Sequence, residues 1–577
     1  MNFHSFYGKF AIVITNQTMN WVLGISAVFI VLYLIGNFNY KKRLKKLKLK
    51  LLDNWGKPQK SNYYNFFVIG KYFENNAHKE KAHHVVNDNT KEDLDLEDIF
   101  KFIDRTSSKI GQQYLYFKLR TIGSIKELLQ FDSLVRIVEK NQQLRIESQV
   151  LLSKLNSTES YYLEELINGK QLQKSKYIWI VRSLTISAIL ILFVGIWIPI
   201  LYLLMIPILA TNMFFHYKNK GNIIYYLQGV GQLSKSLKIA KKLAGFKQIK
   251  THYQDFSFIK KIQAIQFKTE FIGFEKNINN EYLFFLWFFV EITKTMFNIE
   301  YLVFYSFIDS LEKEKNNIEK LFVFIGEIDA AISTASVKAG NNHLCTPVFV
   351  KNKEVVSKGI YHPLIDNCIA NDVRLNNSSM LLTGSNMSGK TTFIRTVAVN
   401  SILAQTLNFC FAEEYSAPFF RVYSSIRITD DVLKNTSYYL EEVLRIKGLV
   451  DASEIDGFNL FILDEIFKGT NTVERISGGK AILSFLNKKN HIVLVSTHDI
   501  ELTELLEKND YELFHFSEQI EKNELSFDHK LKKGRLKTRN AIKILELYEY
   551  PSEIISEARK TEKMFELTRQ QEKINYF

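Results

Sequence analysis

Residues Gly384 to Thr391 read GSNMSGKT, two glycines, a lysine and a hydroxyl side chain at the spacing of a phosphate-binding loop. Glycines there let backbone amides turn inward on phosphate oxygens, and a helix N-terminus behind them adds partial positive charge. In such a loop Lys390 reaches the β- and γ-phosphates and Thr391 ligates Mg2+, so the chemistry on offer is the binding of ATP with its magnesium ion. Gly384, Ser385, Asn386, Met387, Ser388, Gly389, Lys390, Thr391 and Thr392 are the candidate nucleotide-binding residues of this segment. Further along, the apolar run Leu460 to Leu463 ends in Asp464-Glu465. Adjacent carboxylates beside a phosphate loop suit metal-assisted phosphoryl transfer, with Asp464 holding Mg2+ and Glu465 orienting or deprotonating the attacking water. A second apolar run, HIVLVS, leads to His498, which is placed to sense the γ-phosphate.

Strands and a helix must deliver these groups to one edge. MLLT (Met380 to Thr383) reads as a strand running into the glycine loop, and TFIRTVAVNSILA as the helix leaving it. The two later apolar runs read as further buried strands, which together predict an α/β P-loop domain. The chain has 577 residues, enough for several domains, and its 7 prolines and 25 glycines favour long helices elsewhere. Its three cysteines, Cys345, Cys368 and Cys410, have no metal-ligand spacing and fit a reducing compartment. A net charge of +14 suits a polyanion or an anionic lipid surface.

Trp21 to Phe38 is uncharged and long enough to cross a hydrocarbon core of about 30 Å. The block KKRLKKLKLK follows it directly, the flank expected on the cytoplasmic side of an uncleaved anchor. From Ser183 to Phe215 there is again no charge. As a single helix this stretch would measure about 50 Å, and Gly195 and Pro199 near its middle predict a hairpin of two crossings instead. Lys174, Lys176, Lys218 and Lys220 flank it and place both ends in the cytoplasm. The run Tyr282 to Val290 is too short to cross and reads as the buried face of a soluble helix, and Asp309 to Lys320 as an exposed helical arm.

Several of these segments resemble the bacterial MutS mismatch-repair family. TGSNMSGKTT keeps the asparagine and methionine of that family's loop, and Ile369-Ala370-Asn371 resembles the segment against which the family packs adenine, which makes Ile369 a further nucleotide contact. TDDVLKNTSYYLEEV (Thr429 to Val443) is similar to the family's DD-x5-S-x4-E stretch. The resemblance implies that Ser437 acts in trans at a partner's nucleotide, and hence a homodimer with composite sites. LDEIFKGTNT and STHDIELTELL resemble two further family motifs, whereas Ser477-Gly478-Gly479, which mimics an ABC signature, is read as a helix-start loop. Outside the ATPase, Phe102 to Thr121 resembles the start of the family's core domain, Ile318 to Ser336 the end of its lever helices, and the stretch after Phe527 its final, subunit-pairing helices. Residues 1 to 94 leave no room for a mismatch-reading domain.

The expected fold is therefore mixed: a membrane-anchored helical core and lever region followed by an α/β P-loop ATPase domain of ABC/MutS type. Its expected parts are an anchor region (1–40), a basic juxtamembrane linker (41–94), a helical core and lever domain with the inserted hairpin (95–340), the ATPase (341–525) and a helical dimerisation segment (526–577). The function expected is a MutS-like, membrane-tethered, DNA-binding ATPase serving mismatch repair or damage sensing, with ATP, Mg2+, double-stranded DNA and the lipid bilayer as partners. It would be a multi-pass protein of the bacterial inner membrane with core and ATPase in the cytoplasm. The alternative is a membrane-associated ATPase that uses the MutS engine for remodelling or signalling without DNA.

Overall fold

The computed structural model describes residues 3–59, 63–168, 176–263, 265, 291–427, 438–521, 524–536 and 541–575. The expected mixture of helix and sheet is what it contains. The chain opens on α1 (Phe3–Asp53), a 51-residue helix carrying both the apolar run and the basic block, with Tyr33 and Phe38 exposed. The stretch 41–94, expected as a linker, is folded from Phe66 onward, since Ile69, Tyr72, Val86 and Leu94 are buried in the main core. The apolar and aromatic side chains at those positions exceed what a solvated linker would carry.

The helical region is built on α2 (Lys109–Arg120), α3 (Ile125–Lys140), α4 (Ile178–Val194), α5 (Met205–Ala244), α6 (Ile299–Lys313) and α7 (Lys315–Ala339). Ser108 caps α2, and Ser124 with Glu127 forms a capping box on α3, so both starts are fixed locally. The spine is α7, which buries one continuous apolar face from Ile318 to Val337. Its fully buried Asp329 accepts hydrogen bonds from Ser107 N (2.9 Å) and Ser108 N (2.8 Å), tying the start of α2 to it. The arm expected over Asp309 to Lys320 is divided between α6 and α7 at Glu314, and Ile318 is buried. Residues 282–290 lie outside the described residues.

The uncharged stretch folds as two helices. α4 ends at Gly195, a short 3-10 turn begins at Pro199, and α5 follows. Among the described residues one helix, Pro199–Lys218, is long and apolar enough to cross a membrane, with a mean hydropathy of 1.6; Ile178–Val194 is apolar but shorter. Trp179, Phe193, Trp197, Ile200, Leu203 and Ile206 are all exposed.

The C-terminal half carries a six-stranded sheet of β1 (Ser379–Thr383), β2 (Phe420–Ser425), β3 (Phe458–Asp464), β4 (Ile492–Ser496), β5 (Tyr511–His515) and β6 (Lys532–Lys533), in the order β6-β5-β1-β4-β3-β2. All neighbours run parallel except β6, which is antiparallel to β5. Alternate residues feed two cores. Met380, Leu382, Leu460, Ile462, Ile492 and Leu494 join the large core shared with the helical region, whereas Leu381, Phe461, Leu463, Val493 and Val495 face a second cluster. Both faces are covered, which explains why these strands read as uninterrupted apolar runs. The helices of this half are α8 (Lys390–Leu407), α9 (Tyr438–Ser453), α10 (Thr472–Leu486), α11 (Ile500–Leu506), α12 (Ala541–Leu547) and α13 (Ser552–Asn575). A smaller four-stranded sheet, formed by 348–349, 354–360, 371–376 and 414–417, lies beside them. The sheet continues to Lys533, beyond the boundary expected at 525, because β6 closes its edge.

Candidate nucleotide site

β1 delivers the glycine loop to the C-terminal edge of the sheet, where ligands of open α/β sheets bind. Gly384 has φ +146°, and a side chain there would meet Ser388 Oγ at 2.7 Å; Gly389 has φ +103° and precedes the first residue of α8. Both positions lie in the left-handed region that favours glycine. Between them Asn386, Met387 and Ser388 form one 3-10 turn, in which Met387 is exposed and Ser388 buried. Ser388 Oγ donates to Ser385 O at 2.7 Å, so this hydroxyl braces the loop from within. Thr392 lies on the first turn of α8, and Ile369 stands half exposed just before the strand 371–376.

Lys390 folds back beneath the loop, with Nζ donating to Gly384 O at 2.7 Å and to Ser385 O at 3.1 Å. Burial lowers its pKa to about 8, against the opposing pull of Asp464 and Glu465. Thr391 Oγ1 donates to Asp464 Oδ2 at 2.9 Å. The second Asp464 oxygen takes the hydroxyl of Ser496, its register partner on β4. Glu465 leaves β3 with φ +55°, a conformation uncommon for a residue with a side chain, and its amide donates to Ser496 O at 2.9 Å. That turn brings its carboxylate to 3.2 Å from His498 Nε2 and 3.6 Å from Lys468 Nζ. The hydrogen bond from His498, with Lys468 and Lys390 adding charge, holds Glu465 below the usual carboxylate range.

His498 Nε2 also lies 3.1 Å from Lys390 Nζ. One nitrogen cannot serve both partners at once: protonated, it donates to Glu465, and bare, it accepts from Lys390.

The loop, Asp464, Glu465 and His498, found separately along the sequence, meet in one crevice. Ser437 lies outside the described residues. Several of the site's contacts follow from no spacing along the chain. Ser496 holds Asp464, and Glu442, the last residue of the DD-x5-S-x4-E stretch, accepts from Phe467 N at 2.5 Å and so fixes the turn after Glu465. Arg475 makes a two-pronged pair with Asp499 at 3.0 and 2.7 Å. Ser477-Gly478-Gly479, expected as a helix-start loop, lies inside α10, whose cap is Asn471; the two glycines rest against Phe467 and Ile466.

Two carboxylates on a separate stretch of chain also reach this half. Asp93 accepts from Ser424 Oγ (2.6 Å), Ile426 N (3.0 Å) and Arg427 N (2.8 Å). Asp95 pairs with Arg427 at 2.5 Å and, at 3.3 Å, with Arg395 one turn after Thr391.

A glycine loop between a parallel strand and a helix, with a neighbouring strand ending in the carboxylate that receives the loop's hydroxyl, defines a P-loop α/β domain. Residues 380–566 match the family model of MutS domain V. The chain is 32% identical over 251 residues to the DNA mismatch repair protein MutS of Listeria monocytogenes serotype 4a (strain HCC23), covering 42% of this chain and 29% of that protein. It is 31% identical over 266 residues to the DNA mismatch repair protein MutS of Bacillus velezensis, covering 43% and 30%. The corresponding protein of Staphylococcus aureus (strain JH9) gives 32% over 251 residues, covering 41% and 28%. The chain thus spans about three tenths of the length of the curated relatives it matches. The C-terminal part of the chain is therefore MutS-like.

Proposed function

We propose that this chain is a magnesium-dependent ATPase of MutS type that works as a homodimer on duplex DNA from a membrane tether. The observation that carries the reading is the convergence of Lys390, Thr391, Asp464, Glu465 and His498 within hydrogen-bonding reach of one another at a sheet edge. Thr391 and Asp464 are hard oxygen donors already 2.9 Å apart, the donor chemistry Mg2+ prefers. The ion, when bound, neutralises charge on the phosphate oxygens. Lys390 supplies its ammonium to the phosphates, Glu465 orients the attacking water, and His498 holds or releases a proton at Nε2 beside it. Ser437 of a second copy completes the site, so that turnover opens and closes the dimer.

Duplex DNA enters from the names of the relatives, which are mismatch repair proteins, and from the chain's positive balance. The test is ATP turnover by the detergent-solubilised protein alone, with matched duplex and with mismatched duplex, at two salt concentrations. Turnover that changes with duplex and loses that response at high salt is expected, because phosphate contacts release counterions. A difference between the two duplexes extends the reading to repair, and indifference to both overturns the DNA part.

A second reading has its own support. The exposed tryptophans and aliphatics of α4, of the turn after it and of the start of α5 form an apolar hairpin suited to the interior of a bilayer, with Lys218 near its base. This favours a multi-pass protein of a bacterial inner membrane with core and ATPase in the cytoplasm. The same hairpin fits an ATPase that remodels or signals at the bilayer without DNA. Turnover unaffected by duplex but altered on reconstitution into liposomes would select this second reading.

A further inference from the structure

Beyond β5 the chain forms a hairpin (518–521 and 524–527) and then crosses back over the glycine loop as the strap Asp528–Leu531 before reaching β6. We propose that His529 on this strap is a positioning residue of the phosphate loop, so that the C-terminal segment is a working part of the nucleotide site. The proposal rests on the ATP-binding reading above.

His529 Nδ1 lies 3.0 Å from the carbonyl oxygen of Ser388. A carbonyl only accepts, so the ring donates from Nδ1 and its tautomer is set by the contact. Ser388 C=O and Gly389 N–H belong to one planar trans peptide and point in opposite directions. Holding that carbonyl outward therefore holds the Gly389 amide inward, the orientation a phosphate-binding loop requires. The fit on this side is tight, since a methyl group on Gly389 would stand 3.3 Å from His529 Nδ1. Without the donor, the Ser388–Gly389 peptide loses the His529 contact at its carbonyl and is freer to rotate.

His529 is itself held in place. Its φ of +48° is uncommon for a residue with a side chain, and the strap fixes it from both sides. Asn371, 8% exposed, donates from Nδ2 to His529 O at 3.0 Å and to Ile369 O at 3.1 Å, while its Oδ1 accepts Leu531 N at 2.7 Å. Lys530 Nζ donates to Ala370 O at 2.9 Å. One buried amide thus binds the strap and the Ile369 segment together, and the strap in turn binds the phosphate loop. Nucleotide affinity is then coupled to the strap and to β6, which follows it in the chain ahead of the C-terminal helices.

The experiment is equilibrium binding of Mg-ATP, with KM and kcat, on the full-length detergent-solubilised protein and on His529→Ala, His529→Asn and Asn371→Asp. His529→Ala should weaken ATP binding roughly five- to tenfold, the scale of one net hydrogen bond. Its kcat at saturation should stay near that of the unmodified protein, because Asp464, Glu465 and His498 are untouched. His529→Asn, which keeps a side-chain N–H donor close to the Nδ1 position, should recover most of the affinity. Asn371→Asp, which sets a carboxylate against two carbonyl oxygens, should release the strap and weaken binding with His529 intact. Unchanged affinity in His529→Ala overturns the proposal. So does an equal loss in the alanine and asparagine variants accompanied by a lower melting temperature without nucleotide, which would mark a purely structural histidine. Failure of the unmodified protein to bind ATP removes the underlying reading instead, and is told apart by that control.

Discussion

Asp93 lies about 330 positions from the strand it supports, and replacing it with alanine tests whether the segment before α2 belongs to the P-loop domain. Its carboxylate is fully buried and accepts from Ser424 Oγ, Ile426 N and Arg427 N at 2.6, 3.0 and 2.8 Å. The Ser424 hydroxyl can turn to another acceptor, but the two amides cannot. Each donor left without a partner costs about 1–3 kcal/mol, so Asp93→Ala should cost on the order of 4 kcal/mol. The Arg445 guanidinium, 3.7 Å away and largely buried, loses one of its two carboxylate partners in the same step and keeps Glu441. In a unit of this size about 1 kcal/mol moves the midpoint by ~2–4 °C, so thermal unfolding followed by intrinsic fluorescence should show a drop on the order of 10 °C. Asp93→Asn keeps one acceptor oxygen and should lose roughly half as much. A midpoint for Asp93→Ala within about 2 °C of the unmodified protein would refute the reasoning, because buried amides without acceptors cannot be that inexpensive.

Two further outcomes concern the site itself. Lys390 has a pKa lowered from 10.5 to about 8, so between those values the unfolded chain keeps this proton while the folded chain has released it. Stability of the nucleotide-free protein should rise with pH across that window, whereas ATP, which needs the ammonium, should bind more weakly and take up a proton. Calorimetry in two buffers of different ionisation enthalpy checks this, and proton-independent binding at about pH 9.5 would contradict it. Glu465→Ala should retain ATP binding, lose turnover and accumulate an ATP-bound dimer. Hydrolysis at the unmodified rate would remove Glu465 from its assigned role.

The site was legible in the sequence where chemistry and chain order coincide. Gly384 to Thr392 are contiguous in the chain, and Asp464 and His498 announce themselves at the ends of apolar strands because both sheet faces are buried. The groups that tune the site were not legible. Ser496 faces Asp464 through strand register, Asn371 reaches a strap far along the chain, and Asp93 and Asp95 serve residues on the other side of the helical region; no local spacing encodes any of these. Glu442 lay within a recognised stretch, but its task, holding the amide of Phe467, depends on a turn whose φ values at Glu465 and Phe467 are both positive. The linker expectation for 41–94 gave weight to the basic block and too little to Tyr72, Phe73 and Val86. The hairpin break at Gly195 and Pro199 was readable because those two residues end and restart helices by their own geometry.

β2 is the outermost parallel strand of its sheet, and an outermost strand offers a row of unpaired backbone groups to any passing chain. On the outward side of β2 that row is already taken: His84 donates to Val422 O at 2.9 Å, Thr90 Oγ1 accepts Ser424 N at 3.2 Å, and Asp93 accepts Ile426 N. Side chains from residues 84–93 thus do what a seventh strand would do, at every second residue and without forming one. A fragment cut to the borders of the matched domain would carry an open, apolar edge and should aggregate, and the cure is residues 84–95 supplied as a peptide rather than a milder buffer. The P-loop half of this chain carries its own motifs, but the cover for its sheet edge comes from residues 84–93.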